Sequence, residues 1–485
     1  MTRLLAFALT SAALMSAAHR PWGPGYLAWI ALVPLLAALH KEERWWRGAL
    51  AGWLAALGTG LVAFEGVAPA EFWAYPILVA IAGIPWAIAG ALFVLLSKRF
   101  GSGTAVLLFA PLLVAAEFVP AQRFIFGDFA NGMSAIGYTQ TDTPLLAAAG
   151  WSGVSGVSLL VIALNVAIHQ AWKLRLAPAA ALAALVVLAV LLPVPGVNTP
   201  AEETEPLRVA MVQGAVSSVD TLFARFDREA AQRMLEPYAD LTAQAAEHDA
   251  DLVVWGETVV PHAVRPGHVP DYLAEALEPA PVALVGGVVF SQGASYNSIL
   301  HWGEGELTEV YRKRALVPFN ERHYTPGRAM PPLAVNGARL GLGVCLDSVF
   351  GMLARDSVLA GAEALIYVTE DSFAGRTVTP ELHLRVTAFR GAETGRFVIF
   401  ANQSGPSAVI DNRGNIIDRI GHGENAGLVA DIRAHQGITP FVRFGDWAGV
   451  AATGLVLLMG LAGLLPSQTI ASFGSSRRRD PLPAR

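Results

Sequence analysis

The stretch Gly341-Leu-Gly-Val-Cys345-Leu-Asp-Ser-Val-Phe350 contains the only cysteine of the 485-residue chain. Apolar residues from Ala338 onwards predict a strand that ends at Cys345, and Asp347-Ser348 predicts the N-cap of a helix over 349–360. A thiol at such a corner lies near unpaired backbone N–H groups, which can lower its pKa and bind an oxyanion. A lone cysteine is more often a small buried apolar residue. The rest of the chain decides between these interpretations.

The composition is typical of a polytopic membrane protein. Hydrophobic residues make up 54% of the chain and charged residues 15%, and the mean hydropathy is +0.46, well above the values of soluble proteins. The net charge of −5 provides no basic surface for nucleic acid. One cysteine excludes an internal disulfide framework, and CxxC, HExxH, GxSxG and phosphate-loop motifs are missing from the sequence. We therefore expect neither a metal nor a cofactor.

Eight apolar runs, each near the roughly 20 residues that cross a bilayer, predict membrane-spanning helices. They lie at about 3–19, 25–40, 47–66, 75–97, 103–119, 153–171, 176–195 and 447–465. Basic residues follow the even-numbered runs, at Lys41, Arg44, Arg47, Lys98, Arg99, Lys173, Arg175 and the arginines of 477–479. The alternate loops contain only Arg20 and Arg123. The positive-inside rule therefore places the segment between the seventh and eighth helices outside the cell membrane.

Two membrane segments allow two interpretations each. Arg3, an apolar run and Ser16-Ala17-Ala18 are typical of a cleaved signal peptide, but we expect a retained first helix because no mature soluble segment follows it. Cleavage would leave the orientation of the remaining helices unchanged. The aromatic and weakly charged loop 119–150 is either an amphipathic element that forms a lipid entrance at the outer interface or a packed connection.

An α/β domain is predicted from Arg208 to about Arg433, because short β-rich runs alternate there with helical ones over a length sufficient for a separate core. The predicted strands are 208–213, 251–255, 282–290, 298–302, 307–313, 339–345, 364–368, 397–401, 407–410 and 415–420. The predicted helices, besides the one after Cys345, are 222–247, 271–277 and 381–394.

The α/β domain contains one lysine, Lys313, whereas its other cationic positions are arginines. An ammonium is a compact donor with a shiftable pKa, so this lysine is suited to a task that arginine cannot perform, unless lysine is simply rare in this composition. Glu257 follows the strand that ends at Trp255, where a general base would be held rigidly. Glu321 lies eight residues after Lys313. Each glutamate taken alone is more typical of a solvated loop acid.

Together these residues resemble the apolipoprotein N-acyltransferase family, a membrane-embedded branch of the nitrilase superfamily. The resemblance covers nearly the whole chain, and its motifs are Tyr26-Leu-Ala-Trp-Ile-Ala-Leu-Val-Pro34, Val212-Gln-Gly214, Tyr296-Asn-Ser298, Tyr311-Arg-Lys-Arg-Ala-Leu-Val-Pro-Phe-Asn-Glu321, Arg390-Gly-Ala-Glu-Thr-Gly-Arg396, Ser407-Ala-Val-Ile-Asp411 and Gly445-Asp-Trp447. It implies an extracytoplasmic nitrilase-like αββα sandwich on an eight-helix transmembrane base. The implied domains are a seven-helix domain at 1–197, a linker at 198–207, the nitrilase-like domain at 208–436, the eighth helix at 445–468 and a basic cytoplasmic tail at 469–485.

The resemblance also implies residue roles: Cys345 is the nucleophile, Glu257 the general base, Lys313 the oxyanion stabiliser and Glu321 an auxiliary residue that orients Lys313. A fatty acyl chain would pass from a phospholipid to Cys345 as a thioester, and then to the α-amine of the S-diacylglyceryl cysteine of a lipoprotein. The implied location is the bacterial inner membrane, with the catalytic domain on the periplasmic side and the C-terminus in the cytoplasm. The oligomeric state is left open.

The sequence departs from the family pattern around these residues. Gly256 replaces a usual proline, Asn320 a glycine, Phe226 a tryptophan, Leu346-Asp347 a Tyr-Glu pair, and Thr369-Glu-Asp-Ser-Phe-Ala-Gly375 the usual Ser-Asn-Asp-Ala-Trp-Phe-Gly. The shorter carboxylate of Asp347 is expected to lose a hydrogen bond. We expect the substrate pocket to be lined by Trp255, Asn297, Leu346, Asp347, Glu370 and Phe373.

These departures leave two alternatives to the N-acyltransferase. One is a divergent membrane acyltransferase or amidase that acts on another amide, ester or amine, as do nitrilase-like proteins of conjugal-transfer operons. The other is a sensor or scaffold that binds lipid without turning it over. Retention of all four catalytic residue types favours an enzyme.

Overall fold

The computed structural model describes residues 1–69, 71–199, 201, 205–216, 218–224, 226–265, 269–318 and 320–465. The predicted tail 469–485 lies outside the described residues, and so do 466–468 after the eighth helix and 202–204 of the acidic linker.

The N-terminal part is helical throughout, as its apolar runs predict. Its helices are α1 Thr2–His19, α2 Ala28–Ala31, α3 Val33–Leu39, α4 Trp45–Ala63, α5 Ala74–Ala82, α6 Ile84–Phe100, α7 Ser102–Phe118, α8 Arg123–Phe126, α9 Ala149–Trp172 and α10 Leu176–Leu191. The second and fourth predicted runs are each divided in two. Pro34 is the second residue of α3 and Pro85 is the second residue of α6, because proline has no N–H to continue the preceding helix and is tolerated in the first turn of a new one.

Four helical stretches among the described residues are long and apolar enough to cross a membrane: Ala74–Phe100, Ser102–Ala121, Pro144–Trp172 and Trp447–Leu464. Two further apolar stretches, Gly25–Leu39 and Leu176–Leu191, are shorter. All eight predicted runs therefore lie on helices, whereas the number that cross the bilayer stays a prediction.

The α/β domain is built from two sheets. Its strands are β1 Leu207–Gln213, β2 Leu252–Trp255, β3 Val260–Val264, β4 Val282–Ser291, β5 Ala294–Gly303, β6 Glu306–Arg312, β7 Leu333–Val335, β8 Ala338–Val344, β9 Ala364–Thr369, β10 Phe397–Asn402, β11 Ser407–Ile410, β12 Ile416–Ile420 and β13 Ala426–Ile432. The first sheet has the order β13-β1-β2-β4-β5-β6 with β3 beside β4, and the second has the order β12-β11-β10-β9-β8-β7. Strands β3, β7 and β13 were not predicted.

The remaining helices are α11 Ser218–Ala224, α12 Arg228–Glu247, α13 Asp271–Leu277, α14 Gly351–Leu359, α15 Thr379–Thr394, α16 Pro440–Phe444 and α17 Trp447–Leu464. The prediction of one helix over 222–247 is wrong, because Asp227 caps a new helix by accepting a hydrogen bond from the Glu229 N–H at 2.9 Å.

The two sheets pack face to face because their strands alternate in side-chain direction. Along β2, Leu252 and Val254 lie in the core between the sheets, whereas Val253 and Trp255 pack on the side of α12 and α13. Strands β9 and β10 alternate in the same way between the central core and the core beneath α14 and α15. The predicted αββα layering is therefore present in the described residues.

Helix α15 packs against both the second sheet and the helical base. Leu384 and Ala388 belong to the core beneath the sheet, whereas Leu382, Val386 and Phe389 share one buried cluster with the base helices. The sandwich and the base therefore meet through the two faces of a single helix.

A kink in α9 lies at this junction. Gly153 has φ +72° and ψ −169°, a conformation that is open essentially to glycine alone. The next residue, Val154, donates its N–H to the Oε1 atom of Glu393 on α15 at 3.1 Å. A Cβ atom at position 153 would lie 2.7 Å from Cε2 of Phe441, whose side chain is buried. Both the backbone angle and the close packing require glycine here.

We predict that Gly153→Ala destabilises the protein by about 1–3 kcal/mol, because alanine is strained at this φ and collides with Phe441. Thermal unfolding of the detergent-solubilised protein measures the effect. The matched control is Gly454→Ala in α17, where no described atom lies within 4 Å of the added Cβ and the helix tolerates alanine. Equal unfolding midpoints for Gly153→Ala and the wild type would contradict this account of the kink.

Candidate active site

Cys345 lies at the corner where β8 ends. A short 3-10 turn, Cys345–Val349, follows the strand, and α14 begins only at Gly351 with Phe350 as its N-cap. Cys345 has φ +46°, in the left-handed region that non-glycine residues rarely adopt. The predicted helix start at Asp347-Ser348 is therefore wrong, because both residues lie within the turn.

The Asp347 carboxylate holds this turn against the first sheet. It accepts hydrogen bonds from the Val344 N–H at 3.0 Å, the Tyr311 hydroxyl at 3.0 Å and the Ala315 N–H at 2.7 Å. The Arg314 N–H adds a fourth contact at 3.1 Å. Burial raises the pKa of Asp347, although these donors oppose the rise. The carboxylate of Asp347 thus accepts several hydrogen bonds. It joins the turn at Cys345 to the chain that follows β6.

Lys313 directly follows β6 and is almost fully buried. Its Nζ donates to the Oε1 atom of Glu257 at 2.9 Å and to the Oε1 atom of Glu321 at 2.9 Å. Burial opposes the positive charge, but the two carboxylates, together with Cys345 whenever its thiol is ionised, raise the pKa of Lys313 well above its usual value. The ammonium is therefore charged in the resting protein.

Glu257 lies just beyond β2 and faces Lys313 from inside the domain. Its backbone N–H donates to the Thr369 carbonyl of the second sheet at 3.1 Å, so the position depends on both sheets. Asn297 on β5 donates from Nδ2 to the Oε1 atoms of Glu257 at 2.7 Å and of Glu321 at 3.0 Å. Burial raises the pKa of Glu257, while the adjacent Lys313 opposes that rise. A buried carboxyl with a raised pKa is suited to accept and return a proton.

The thiol of Cys345 is buried, with 8% of the residue exposed. Burial and the negative charge of Glu257 raise the pKa of Cys345 well above its usual value, although Lys313 acts in the opposite direction. The expected lowering of the thiol pKa by the corner is therefore not found. The thiol is protonated at rest, and its reaction requires a base such as Glu257.

The other predicted pocket residues differ in burial and in their local contacts. Trp255 is fully buried against Tyr238 on the helix side of β2, and its indole N–H donates to the Thr242 hydroxyl at 3.0 Å. Leu346 is half-buried, and Phe373 is 40% exposed. Burial raises the pKa of Glu370 to about 7, and its carboxylate accepts the Ser372 N–H. Their roles in binding substrate stay predictions.

One buried polar network near Cys345 was missed in the sequence. His383 of α15 contacts Asp371 through Nδ1 at 3.1 Å, and its Nε2 lies 2.9 Å from the Ser348 hydroxyl and 3.3 Å from the Cys345 carbonyl oxygen. The only signal in the sequence was the position of Asp371 just after a buried strand, since His383 lies twelve residues farther along the chain.

Known proteins and family models match both the helical base and the α/β domain. The family model "Carbon-nitrogen hydrolase" matches residues 208–437, and "Apolipoprotein N-acyltransferase N-terminal domain" matches residues 11–167. The chain is 31% identical to the apolipoprotein N-acyltransferase of Azotobacter vinelandii, covering 94% of both chains. It is 30% identical to that of Gloeobacter violaceus, covering 92% of this chain and 91% of the relative.

A solved structure of Saccharomyces cerevisiae Nit3, a member of branch 10 of the nitrilase superfamily, is matched with a TM-score of 0.38 and 23% identity. The match covers 47% of this chain and 90% of that one. The full-length matches are decisive, because they include the helical base as well as the α/β domain. The chain belongs to the apolipoprotein N-acyltransferase family.

Proposed function

We propose that this protein is an apolipoprotein N-acyltransferase. It would move a fatty acyl chain from a phospholipid, through a thioester on Cys345, to the α-amine of the S-diacylglyceryl cysteine of a lipoprotein. The observation that carries the proposal is the buried ammonium of Lys313, 2.9 Å from both Glu257 and Glu321. Its positive charge opposes the rise in the pKa of the Cys345 thiol. The names of the relatives give N-acyl transfer to an apolipoprotein, and the family resemblance described above implies the phospholipid donor and the diacylglyceryl cysteine acceptor.

In the first half-reaction, Glu257 takes the thiol proton of Cys345 and the thiolate attacks the ester carbonyl carbon of the phospholipid. A carbon–sulfur bond forms while the carbonyl electron pair moves to oxygen, and the ammonium of Lys313 stabilises the resulting oxyanion. The oxyanion collapses, the ester carbon–oxygen bond breaks, and the leaving alkoxide takes the proton from Glu257. The products are a lysophospholipid and an acyl thioester.

In the second half-reaction, the α-amine of the acceptor attacks the thioester carbonyl and loses a proton to Glu257. The carbon–sulfur bond then breaks, an amide is formed, and the thiolate of Cys345 recovers the proton from Glu257. No metal or cofactor is needed to balance either step.

Two carboxylates on one ammonium serve this cycle. When Glu257 accepts a proton, its carboxyl group becomes neutral. If Glu257 were the only carboxylate beside Lys313, the ammonium would then have no negative charge next to it. Glu321 remains as the second carboxylate, so Lys313 stays charged and in position while the oxyanion forms. Asn297 donates to both carboxylates and fixes their separation. Glu321 and Asn297 are thus positioning residues for Lys313.

The membrane arrangement follows from the helices and the charge pattern. We propose eight spanning helices, a sandwich on the periplasmic side of the bacterial inner membrane and a cytoplasmic C-terminus, because basic residues follow every second apolar run. Both substrates are lipids, which gives a reason for joining the catalytic domain to a membrane base. We expect no nucleic acid partner.

A second candidate is an acyltransferase or amidase that acts on a different substrate. The half-buried carboxyl of Glu370, where the family usually has a neutral amide, and the neighbouring exposed Phe373 favour a changed acceptor. Cysteine acylation is common to this candidate and the first, so only the acceptor distinguishes them.

Incubation with phospholipid and no acceptor should add one acyl mass to the peptide that contains Cys345, because the thioester has nowhere to transfer its acyl chain. Cys345→Ala should remain unmodified and should abolish N-acylation of lipoprotein in a strain that depends on this gene, as measured by mass spectrometry. Undiminished N-acylation in Cys345→Ala would refute the proposal. Cysteine acylation without lipoprotein N-acylation would favour the second candidate.

Lys313→Arg should lower the rate of Cys345 acylation by about 10²- to 10³-fold, because a planar guanidinium cannot replace a buried ammonium held between two carboxylates. The matched control is Arg312→Lys on the preceding residue, whose side chain is 30% exposed and pairs with Glu309. Single-turnover acylation measures both variants. A rate for Lys313→Arg near that of Arg312→Lys would exclude the proposed role of Lys313.

Acylation should fall at acidic pH, because Glu257 must be ionised to accept the thiol proton. Burial raises the pKa of Glu257, so the loss should begin above the pH at which an exposed glutamate protonates, about 4.3. The negative charge of Glu321 also raises the pKa of Glu257. Glu321→Gln should therefore move the acidic limb of the profile of acylation rate against pH to lower pH. The limb is measured from acylation rates across pH, and a shift to higher pH in Glu321→Gln would contradict the assignment.

A further inference from the structure

The network beneath Cys345 is buried on every side. His383 is 3% exposed, Asp371 is 2% exposed and Ser348 is 0% exposed. The ring of His383 also packs edge-on against Phe400 at a centroid distance of 5.1 Å. None of the proposed catalytic steps uses these side chains. Their contacts with the turn that carries Cys345 therefore need a separate explanation.

The partners of His383 determine where its protons lie. Nδ1 faces the Asp371 carboxylate, which only accepts hydrogen bonds and also accepts from Asn402 Nδ2 at 2.6 Å. Nδ1 therefore carries the proton of this hydrogen bond. Nε2 lies 2.9 Å from the Ser348 hydroxyl, which can both donate and accept, and 3.3 Å from the Cys345 carbonyl oxygen. The ring of His383 thus links Asp371 to the turn that carries Cys345.

The carbonyl of Cys345 and the N–H of Leu346 belong to one peptide group. That N–H is at the second position of the 3-10 turn, where the turn itself offers no acceptor. At nucleophile corners, the N–H after the nucleophile is well placed to bind the oxyanion.

We infer that His383, held by Asp371, is a positioning residue for acyl transfer. Its ring contacts both the Ser348 hydroxyl and the Cys345 carbonyl, and it thereby holds the 3-10 turn in which Cys345 is left-handed and the Leu346 N–H is presented to the oxyanion. This inference rests on the proposed function.

The same side chains do not form a second nucleophilic site. Ser348, His383 and Asp371 have the order of a serine triad, but the Ser348 hydroxyl is buried and also receives a hydrogen bond from the Thr387 hydroxyl at 2.9 Å. A substrate carbonyl cannot reach it without unfolding the turn that presents Cys345. The group therefore acts through the backbone of the nucleophile.

The test is single-turnover acylation of the full-length protein in detergent with phospholipid and no acceptor. His383→Gln should lower the maximal rate constant by about 10- to 100-fold, less than the roughly 10²- to 10³-fold cost of deleting an oxyanion donor. The KM for phospholipid and the final extent of acylation should be unchanged, because His383 does not contact the substrate and the folded fraction is the same.

Asp371→Asn is the second variant, and it also serves if His383→Gln fails to accumulate. It preserves shape and an acceptor for the Nδ1–H of His383 but removes the charge of the carboxylate, which weakens the hydrogen bond that holds the ring. It should therefore lower the same rate constant. The matched control is Thr387→Val, one turn farther along α15, which removes a buried hydroxyl from the network without touching the Cys345 carbonyl. It should acylate at the wild-type rate.

Wild-type rate constants in His383→Gln or Asp371→Asn would overturn the inference. So would a loss confined to the extent of acylation, a change only in KM, or an equal loss in Thr387→Val, because each indicates a structural role alone. Failure of the wild type to form the thioester would refute the proposed function instead, so the two failures are distinguishable.

Discussion

The burial of one ammonium between two carboxylates is the constraint on which the site depends. A lone charge in this interior would be too costly, and Lys313 is stable there only because Glu257 and Glu321 each contact its Nζ at 2.9 Å. These side chains come from the ends of β2 and β6 and from the loop after β6, and Asn297 on β5 bonds both carboxylates. The first sheet thereby holds the base and the cation in place.

The thiol of Cys345 comes from the other sheet, so the proposed site exists only where the two sheets meet. Asp347 spans this seam, since it accepts N–H groups from the corner of β8 and from the chain after β6. The Glu257 N–H also donates across the seam, to the Thr369 carbonyl. Because the thiol is buried at the seam, its pKa is raised, and in the proposed mechanism proton transfer to Glu257 generates the thiolate.

Helix α15 links this chemistry to the membrane base. Near its beginning, His383 lies beneath the nucleophile, and near its end Arg390 and Glu393 form a buried ion pair at 3.0 Å. Glu393 also accepts the N–H of Val154 at the kink of α9. One helix therefore joins the Cys345 corner to a helix that is long and apolar enough to cross a membrane.

The sequence by itself determined the membrane character, the α/β domain and the four residue types of the site, because hydropathy, strand alternation and a single lysine and cysteine are visible without contacts. It could not reveal that the corner raises the thiol pKa, that Asp347 retains its donors, or that Asp371 and His383 meet beneath Cys345. Those facts depend on burial and on side chains distant in the chain, which only tertiary packing brings together. The start of α14 was missed for the same reason: Asp347 is bonded in part to residues more than thirty positions earlier, which prevents a local cap.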